Sequence, residues 1–187
     1  MPKIIEFNTA RLLLRQWKAS DRAPFAALNA DSHVMEFFPN LLDRLASDEM
    51  ADRIQSQIAE RGWGFWAVEV PGESSFIGFV GLSIPAYEIP ASPCVEIGWR
   101  LAREYWGKGY ATEAAETVLH IGFKTLHLSE IVSFTALSNH SSRAVMERIG
   151  MQKTDENFEH PCVPEGHPLR LHVLYRLSYK QWSNQFV

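Results

Sequence analysis

The chain has 187 residues, 46% of them hydrophobic and 21% charged, with a formal net charge of −4. That is long enough for one domain with a real core, has the composition of an ordinary soluble protein, and lacks the basic excess of a nucleic-acid footprint. No apolar run reaches the length of a membrane span, and the opening MPKIIEFNTARLLLRQW has no long apolar region of the signal-peptide type, so the expected location is cytoplasmic.

Cys94 and Cys162 have no metal-ligand spacing and cannot form a disulfide framework, so free thiols and no metal are expected. Arg11 to Trp17 (RLLLRQW) is short and rich in leucine and is read as the first strand. Ser20 or Asp21 then offers an N-cap for a helix with Pro24 in its first turn and Phe25, Ala26, Leu28 and Ala30 beyond it. Val34 to Leu42, broken by Pro39, is loop or short helix. Ser47 or Asp48 is expected to cap a second helix carrying Met50, Ile54, Ile58 and Ala59, with Arg61-Gly62 as its stop.

Gly64 to Val70 and Phe76 to Ile84 read as a hairpin around Pro71-Gly72. Gly78 and Gly81 mark a bulge or a close backbone approach in its second strand. Tyr87 to Pro93 is a proline-rich loop, and Val95 to Leu101 (VEIGWRL) a third strand, with Gly98 compatible with a bulge.

Tyr110 to Leu126 is the long helix. Ala111, Ala114, Ala115, Val118, Leu119 and Gly122 form one face of small residues suited to packing on a sheet. Glu130 to Leu137 is β-branched and aromatic, hence a strand. Ser138 or Asn139 caps another helix, which ends at Gly150. Met151 to Asn157 reads as a short strand, Phe158 to Leu169 as a loop, and Leu171 to Ser178 as a final alternating strand. The expectation is a single α/β (α+β) domain over residues 1–187, with a mixed, mostly antiparallel twisted sheet flanked by helices.

The stretch Arg100 to Ala114 (RLAREYWGKGYATEA) joins a strand to a helix through Gly107 and Gly109. Glycine lets backbone N–H groups approach a ligand, and a helix N-terminus adds unpaired donors and a positive dipole end. Together they suit a phosphate or pyrophosphate. The spacing is neither a Walker loop nor a convincing dinucleotide fingerprint, because no Gly-Lys-Ser/Thr ending and no third glycine follow.

The segments TARLLLRQWKASD, VEIGWRLAREYWGKGYATEA and ALSNHSSRAVMERIGM, in this order, resemble the GNAT family of acetyl-CoA-dependent N-acetyltransferases, and its RimJ/RimL-like (ribosomal-protein N-terminal acetyltransferase) branch. The resemblance implies an enzyme that binds acetyl-CoA. It maps the pyrophosphate motif onto Trp106, Gly107, Lys108, Gly109, Tyr110 and Ala111, with Thr112 next in the helix. Trp106 departs from the usual Gln or Arg. The resemblance also implies a bulge in the preceding strand, where the backbone of Trp99, Arg100 and Leu101 pairs with the pantetheine arm. The next strand would diverge to leave a slot for the thioester. Asn139 matches the family's cofactor-binding Asn and is equally explained as a helix cap. Ser142 matches the position that protonates the leaving thiolate.

Acetyl transfer to an amine needs a proton acceptor, a donor to the carbonyl oxygen, and help for the thiolate. Glu96, on the strand leading to Trp99, is the first-choice base, with His172, Glu159 and His160 behind it. An acyl-enzyme on Cys162 is disfavoured, since direct transfer needs no covalent step and no activating partner is visible. Phe37, Phe38, Trp63, Trp66 and Tyr87 are acceptor-wall residues or core packing. The expected acceptor is a protein N-terminal α-amine, such as that of a ribosomal protein, or a small-molecule amine. No direct nucleic-acid contact and no membrane are expected, and the chain is expected as a monomer or homodimer. The alternative is a non-catalytic acyl-CoA-binding sensor or structural module on the same fold. A nucleotide enzyme using Glu104 and Glu113 ranks below both.

Overall fold

The computed structural model describes residues 2–186. In chain order the elements are β1 (Phe7–Asn8), β2 (Leu13–Arg15), α1 (Arg22–Ala30), α2 (Arg44–Arg61), β3 (Phe65–Val70), β4 (Ser74–Ser83), β5 (Glu96–Leu101), α3 (Tyr110–His120), β6 (Glu130–Ala136), α4 (His140–Arg148), β7 (Gln152–Glu159), β8 (Leu171–Ser178) and α5 (Tyr179–Ser183). The strands form one sheet in the order β1-β2-β3-β4-β5-β6-β8-β7. Every neighbouring pair is antiparallel except β5–β6, which is parallel. No helix among the described residues is long and apolar enough to cross a membrane.

Alternation along β5 sorts the two faces of the sheet. Ile97 pairs with Leu82 and Trp99 with Val80, on the face that packs under α3. Ala114, Ala115, Val118 and Leu119 of α3 are fully buried, so the small-residue face seats the helix closely. Gly122 lies in a π turn (Ile121–Thr125) that continues α3, and a Cβ there would meet Ile131 at 2.6 Å. Glu96, Gly98 and Arg100 point to the other face. There α1 packs through Phe25 against Trp17, Phe76 and Phe79. A second, smaller cluster of Ile89, Val132, Phe158 and Leu174 covers the half nearer β7.

Several boundaries differ from the sequence reading. The first strand is shorter than 11–17, covering only Leu13–Arg15, and the two-residue β1 precedes it. Helix α2 starts at Arg44, because the Asp43 carboxylate accepts the Ala46 N–H at 2.8 Å. Ser47 lies buried one turn further in, where its hydroxyl accepts from Asn29 Nδ2. Asp48 instead pairs with Arg44 at 2.8 Å. Residues 34–42 form turns and bends rather than a helix. β7 runs to Glu159, past the expected end at Asn157.

The bulge is in β4, not at Gly98. The β3–β4 register shifts between Val68 and Val70, while β4–β5 pairing runs unbroken from Gly78↔Leu101 to Ser83↔Glu96. Gly78 has φ 136, and a Cβ there would lie 2.1 Å from the Arg100 carbonyl oxygen. The shift turns both Phe76 and Phe79 toward Phe25.

Arg15 ties this half of the fold together. Its buried guanidinium meets Asp21 at 2.8 and 3.0 Å and Glu69 at 2.8 Å, and it also donates to the Gln16 and Ser75 carbonyls. The Asp21→Ala variant is expected to lose about 3 kcal/mol of stability, since removing one partner strands a buried charge. Urea denaturation with unchanged m-value checks this.

Candidate functional site

Between β5 and β6 the sheet is joined at one rung, Glu96↔Val132. The Val132 N–H donates to the Val95 carbonyl at 3.0 Å, and Ser133 Oγ donates to the Ile97 carbonyl at 2.9 Å. Beyond that point β6 pairs only with β8, through to Ala136↔His172, and no rung joins it to Gly98–Leu101. The Val95 and Ile97 carbonyls face β6, so alternation turns the backbone groups of Trp99 and Leu101 the same way, while those of Arg100 face β4, where it pairs with Phe79, contrary to the expectation that all three present one edge. With the Leu101 carbonyl bonded by Trp106 Nε1, the Trp99 N–H and C=O and the Leu101 N–H are left open to an extended partner.

At the end of β5 a short turn (Arg103–Tyr105) leads to Trp106, Gly107, Lys108 and Gly109. Gly107 has φ 71 and Gly109 φ 81, left-handed conformations that glycine adopts without strain. Gly109 is the N-cap of α3, and no side chain caps it, so the first-turn N–H groups of Tyr110, Ala111 and Thr112 remain for a ligand. A Cβ on Gly107 would meet nothing within 4 Å, so the loop's outer side is open. These features fit a pyrophosphate.

The loop is held from a distant part of the chain. Arg11 Nε pairs with Glu113 at 2.7 Å, its Nη1 donates to the Lys108 carbonyl at 3.0 Å, and the guanidinium lies 4.7 Å from the Tyr110 ring centroid. Glu113 also accepts from Thr9 Oγ1 at 2.6 Å and the Arg11 N–H at 2.8 Å. Burial pushes the Glu113 carboxyl up, but the bonds from Thr9 and Arg11 outweigh it and leave the group below its ordinary value. Sequence reading missed Thr9 and Arg11, because nothing in the spacing links residue 11 to residue 113. Lys108 is half-exposed and sits 3.8 Å from Glu73, on the β3–β4 turn. Trp106 Nε1 donates to the Leu101 carbonyl at 2.8 Å.

Glu96 sits at the fork itself. It is half-buried, and burial raises its carboxyl to about 7. Tyr87 is close enough that the Glu96 charge, after burial, helps raise its phenol, so Tyr87 stays protonated. Tyr87 Oη lies 2.9 Å from His160 Nε2. His160 Nδ1 accepts the Cys162 N–H at 3.2 Å, which assigns the ring proton to Nε2 and leaves the tyrosine hydrogen free to be donated elsewhere. His160 and His172 contact each other as tilted rings, with centroids 4.6 Å apart and planes at 41°. Burial, then the His172 charge, pushes His160 down to about 4. Burial lowers His172 too, partly offset by its bond to the Arg170 carbonyl. Both imidazoles are therefore neutral at pH 7. Glu159 is removed from the site, because its carboxylate faces solvent and pairs with Arg170 at 2.8 Å.

Asn139 is buried as the N-cap of α4. Its Oδ1 accepts from the Ser142 N–H at 3.1 Å and from Ser141 Oγ at 2.9 Å, while Nδ2 donates to Thr135 Oγ1 at 2.9 Å. One Nδ2 hydrogen is left for a ligand. Ser142 is half-buried in the first turn of α4. Of the aromatic wall residues, Trp66 is fully buried on the α3 face and bonds the Ile5 carbonyl, so it lines no cleft. Trp63 packs on the core beside Arg61. Phe38 and Tyr87 do lie on the Glu96 face. Phe38 covers Arg100 at 4.1 Å, and Tyr87 lines a groove of about 450 Å³ formed by Ile84 to Ile89 and Ser92 to Cys94.

A strand edge open to an extended partner, beside a glycine loop with free helix N-terminal donors and a carboxyl raised by burial, suits an acyl-CoA-dependent transferase. Residues 11–152 match the acetyltransferase (GNAT) domain, and the chain belongs to that family. It is 28% identical over 180 residues to an uncharacterized N-acetyltransferase, YnaD, of Bacillus subtilis, covering 96% of this chain and 100% of that one. A GNAT-family acetyltransferase structure from Bacillus anthracis superposes with TM-score 0.77 at 25% identity, over 94% of this chain and 99% of that one. The spermidine N-acetyltransferase of Vibrio cholerae, solved with CoA and spermine, shares the fold with TM-score 0.73 at 20% identity, over 94% and 99% of the two chains. The protein is thus an acetyl-CoA-dependent N-acetyltransferase.

Arg11→Ala is expected to weaken acetyl-CoA binding about tenfold, the scale of a lost charge-assisted contact plus a loosened loop. Lys108→Ala, which removes only a solvated cation, is expected to change it little. Isothermal titration calorimetry at matched ionic strength measures both.

Proposed function

We propose that residues 1–187 act as a single N-acetyltransferase domain of the RimJ/RimL-like type. It moves the acetyl group of acetyl-CoA to a primary amine by direct attack, the amine belonging to a protein N-terminus or a small molecule. The observation that carries the mechanism is Glu96, a carboxyl raised to about 7 at the point where β5 and β6 part. The free thiols Cys94 and Cys162 are in keeping with a reducing compartment such as the cytoplasm.

Acetyl-CoA supplies an activated thioester. Gly107, Gly109 and the first turn of α3 (Tyr110, Ala111, Thr112) hold its pyrophosphate through backbone N–H groups. The free Trp99 backbone groups and the Leu101 N–H receive its arm, and Asn139 contributes its remaining Nδ2 hydrogen.

An incoming ammonium must lose a proton before it can attack. An α-amino group has a pKa near 7.7–8.0, so a carboxylate titrating near 7 is matched to accept that proton and still be ionised at neutral pH. Backbone N–H groups along the open edge stabilise charge on the acetyl oxygen. Ser142, whose hydroxyl lies at the start of α4, returns a proton to the departing thiolate.

The pH profile tests this directly. Glu96 works only when ionised, so kcat/KM should rise as pH climbs through about 7 and fall away below it. Glu96→Gln should remove that limb and lower kcat/KM by roughly 100-fold or more, with acetyl-CoA affinity retained. Ser142→Ala should lower kcat with little change in binding. Acetyl-CoA binding without turnover of any amine or peptide in a broad panel would favour the sensor or structural module instead. Full turnover by Glu96→Gln would remove Glu96 from the mechanism.

A further inference from the structure

The fold contains two buried arginines, and they are treated differently. Arg15 has two carboxylates and two carbonyls around it. Arg100 is equally buried but makes one hydrogen bond to an oxygen, from Nη1 to the neutral Asn29 Oδ1, at 2.6 Å. Its Nε is buried with no partner. Met50 Sδ lies 3.9 Å from Nη1, and the Phe38 and Phe79 rings lie 4.1 and 5.5 Å from the guanidinium carbon. Among the described residues no carboxylate lies within ion-pairing distance of it. Burial alone pulls its pKa down to about 10, which still leaves it charged at neutral pH.

An unpaired buried cation is costly, because its lost hydration is not replaced. The contrast with Arg15 shows that this sequence does neutralise a buried arginine whose role is to hold elements together. Arg100 lies on the same strand and the same face as Glu96, with Gly98 between them contributing no side chain. Four residues of strand span about 13 Å between Cα atoms, a gap that a ligand with separated amine and acid groups can bridge. The guanidinium points away from α3 and its anion-binding N-terminus, toward α1, α2 and the 31–42 loop. Its cover, Phe38, is 38% exposed and belongs to that loop.

We propose that Arg100 is the anion anchor of the acceptor site, and that the amine acetylated by this enzyme carries a carboxylate several bonds from its nitrogen. The carboxylate takes the place of Phe38 over the guanidinium and satisfies Nε, while the amine lies near Glu96 across Gly98. This rests on the transferase reading above for the position of the amine. The chemistry favours a planar, bidentate anion, which a guanidinium binds through two parallel N–H bonds.

The test uses matched pairs in the wild-type protein: 4-aminobutyrate, 6-aminohexanoate and dipeptides, each against its carboxamide. Carboxylates should exceed their carboxamides in kcat/KM by roughly tenfold or more, and Arg100→Met should abolish that preference while acetyl-CoA affinity is unchanged. Equal turnover of acids and amides, or preference for polyamines, overturns the proposal without any variant being made. Thermal shift of CoA-saturated protein separates the two readings. Stabilisation by 6-aminohexanoate but not by its amide, lost in Arg100→Met, supports the anchor even if no amine is acetylated. No stabilisation and no acid preference overturns it while leaving the transferase reading intact.

Discussion

The single rung between Glu96 and Val132 is the constraint on which the rest of the structure depends. On one side of it, β1 to β5 form a continuous antiparallel set; on the other, β6, β8 and β7 form a second. Each set pairs internally, so the junction can part without unfolding either. The cost would be unpaired backbone along β5, and unpaired buried N–H and C=O groups are expensive. An extended ligand arm removes that cost, which is why a strand-like acyl carrier and an opened sheet suit each other. The same rung fixes Glu96 at the apex of the opening. There it sits on a strand rather than on a mobile loop, and neighbouring side chains can desolvate it enough to raise its carboxyl.

The face on which Glu96 lies is electrostatically uneven. Toward β7 and β8 it meets Tyr87, His160 and His172, all neutral at pH 7 by burial. Toward α1 it meets Arg100, charged and without a counter-ion. A carboxylate ionising in such surroundings has no cation beside it to hold its pKa low; Arg100 is four residues away along the strand. The raised value of Glu96 and the lowered value of Arg100 share one cause, burial with no opposite charge in contact.

Much of this was legible in the sequence where local chemistry decides the outcome. The glycine pair ahead of the small-residue helix marked the open N-terminus of α3 at Gly109, and alternation placed Glu96 opposite Ile97. Asn139 was readable as a cap because a cap is a local bond. What failed was non-local. Asp43 rather than Ser47 starts α2, because Ser47 is drawn inward by Asn29, 18 residues away. Of the strands read as open to a bulge, the irregularity falls in β4 beside Gly78, as its glycines suggested, while Gly98 needs none, since β5 keeps its register with β4. Trp66 looked like a cleft wall only because aromatic content says nothing about which face a residue takes. The state of Arg100 could not be read at all, since an unpaired guanidinium is defined by what is missing around it.

Trp106 shows how a departure from a motif can preserve its physical purpose. A Gln or Arg at this place would bring a polar side chain to the loop. The indole instead uses its N–H to bond the Leu101 carbonyl, at the end of β5, across the short turn that follows. That bond fixes the distance between the strand and the first glycine, so the loop's N–H groups stay oriented when no ligand is present. It supplies no charge. Arg11 braces the loop from the other side: its guanidinium is paired with Glu113 and bonds the Lys108 carbonyl, with Nη2 within 3.4 Å of where a Gly109 side chain would begin. Two residues 95 apart in the chain, a tryptophan in the loop and an arginine ahead of β2, thus hold the same turn from its two ends. Holding the turn matters because a helix N-terminus attracts an anion chiefly through fixed backbone N–H groups and the helix dipole, which act only while the turn keeps its shape.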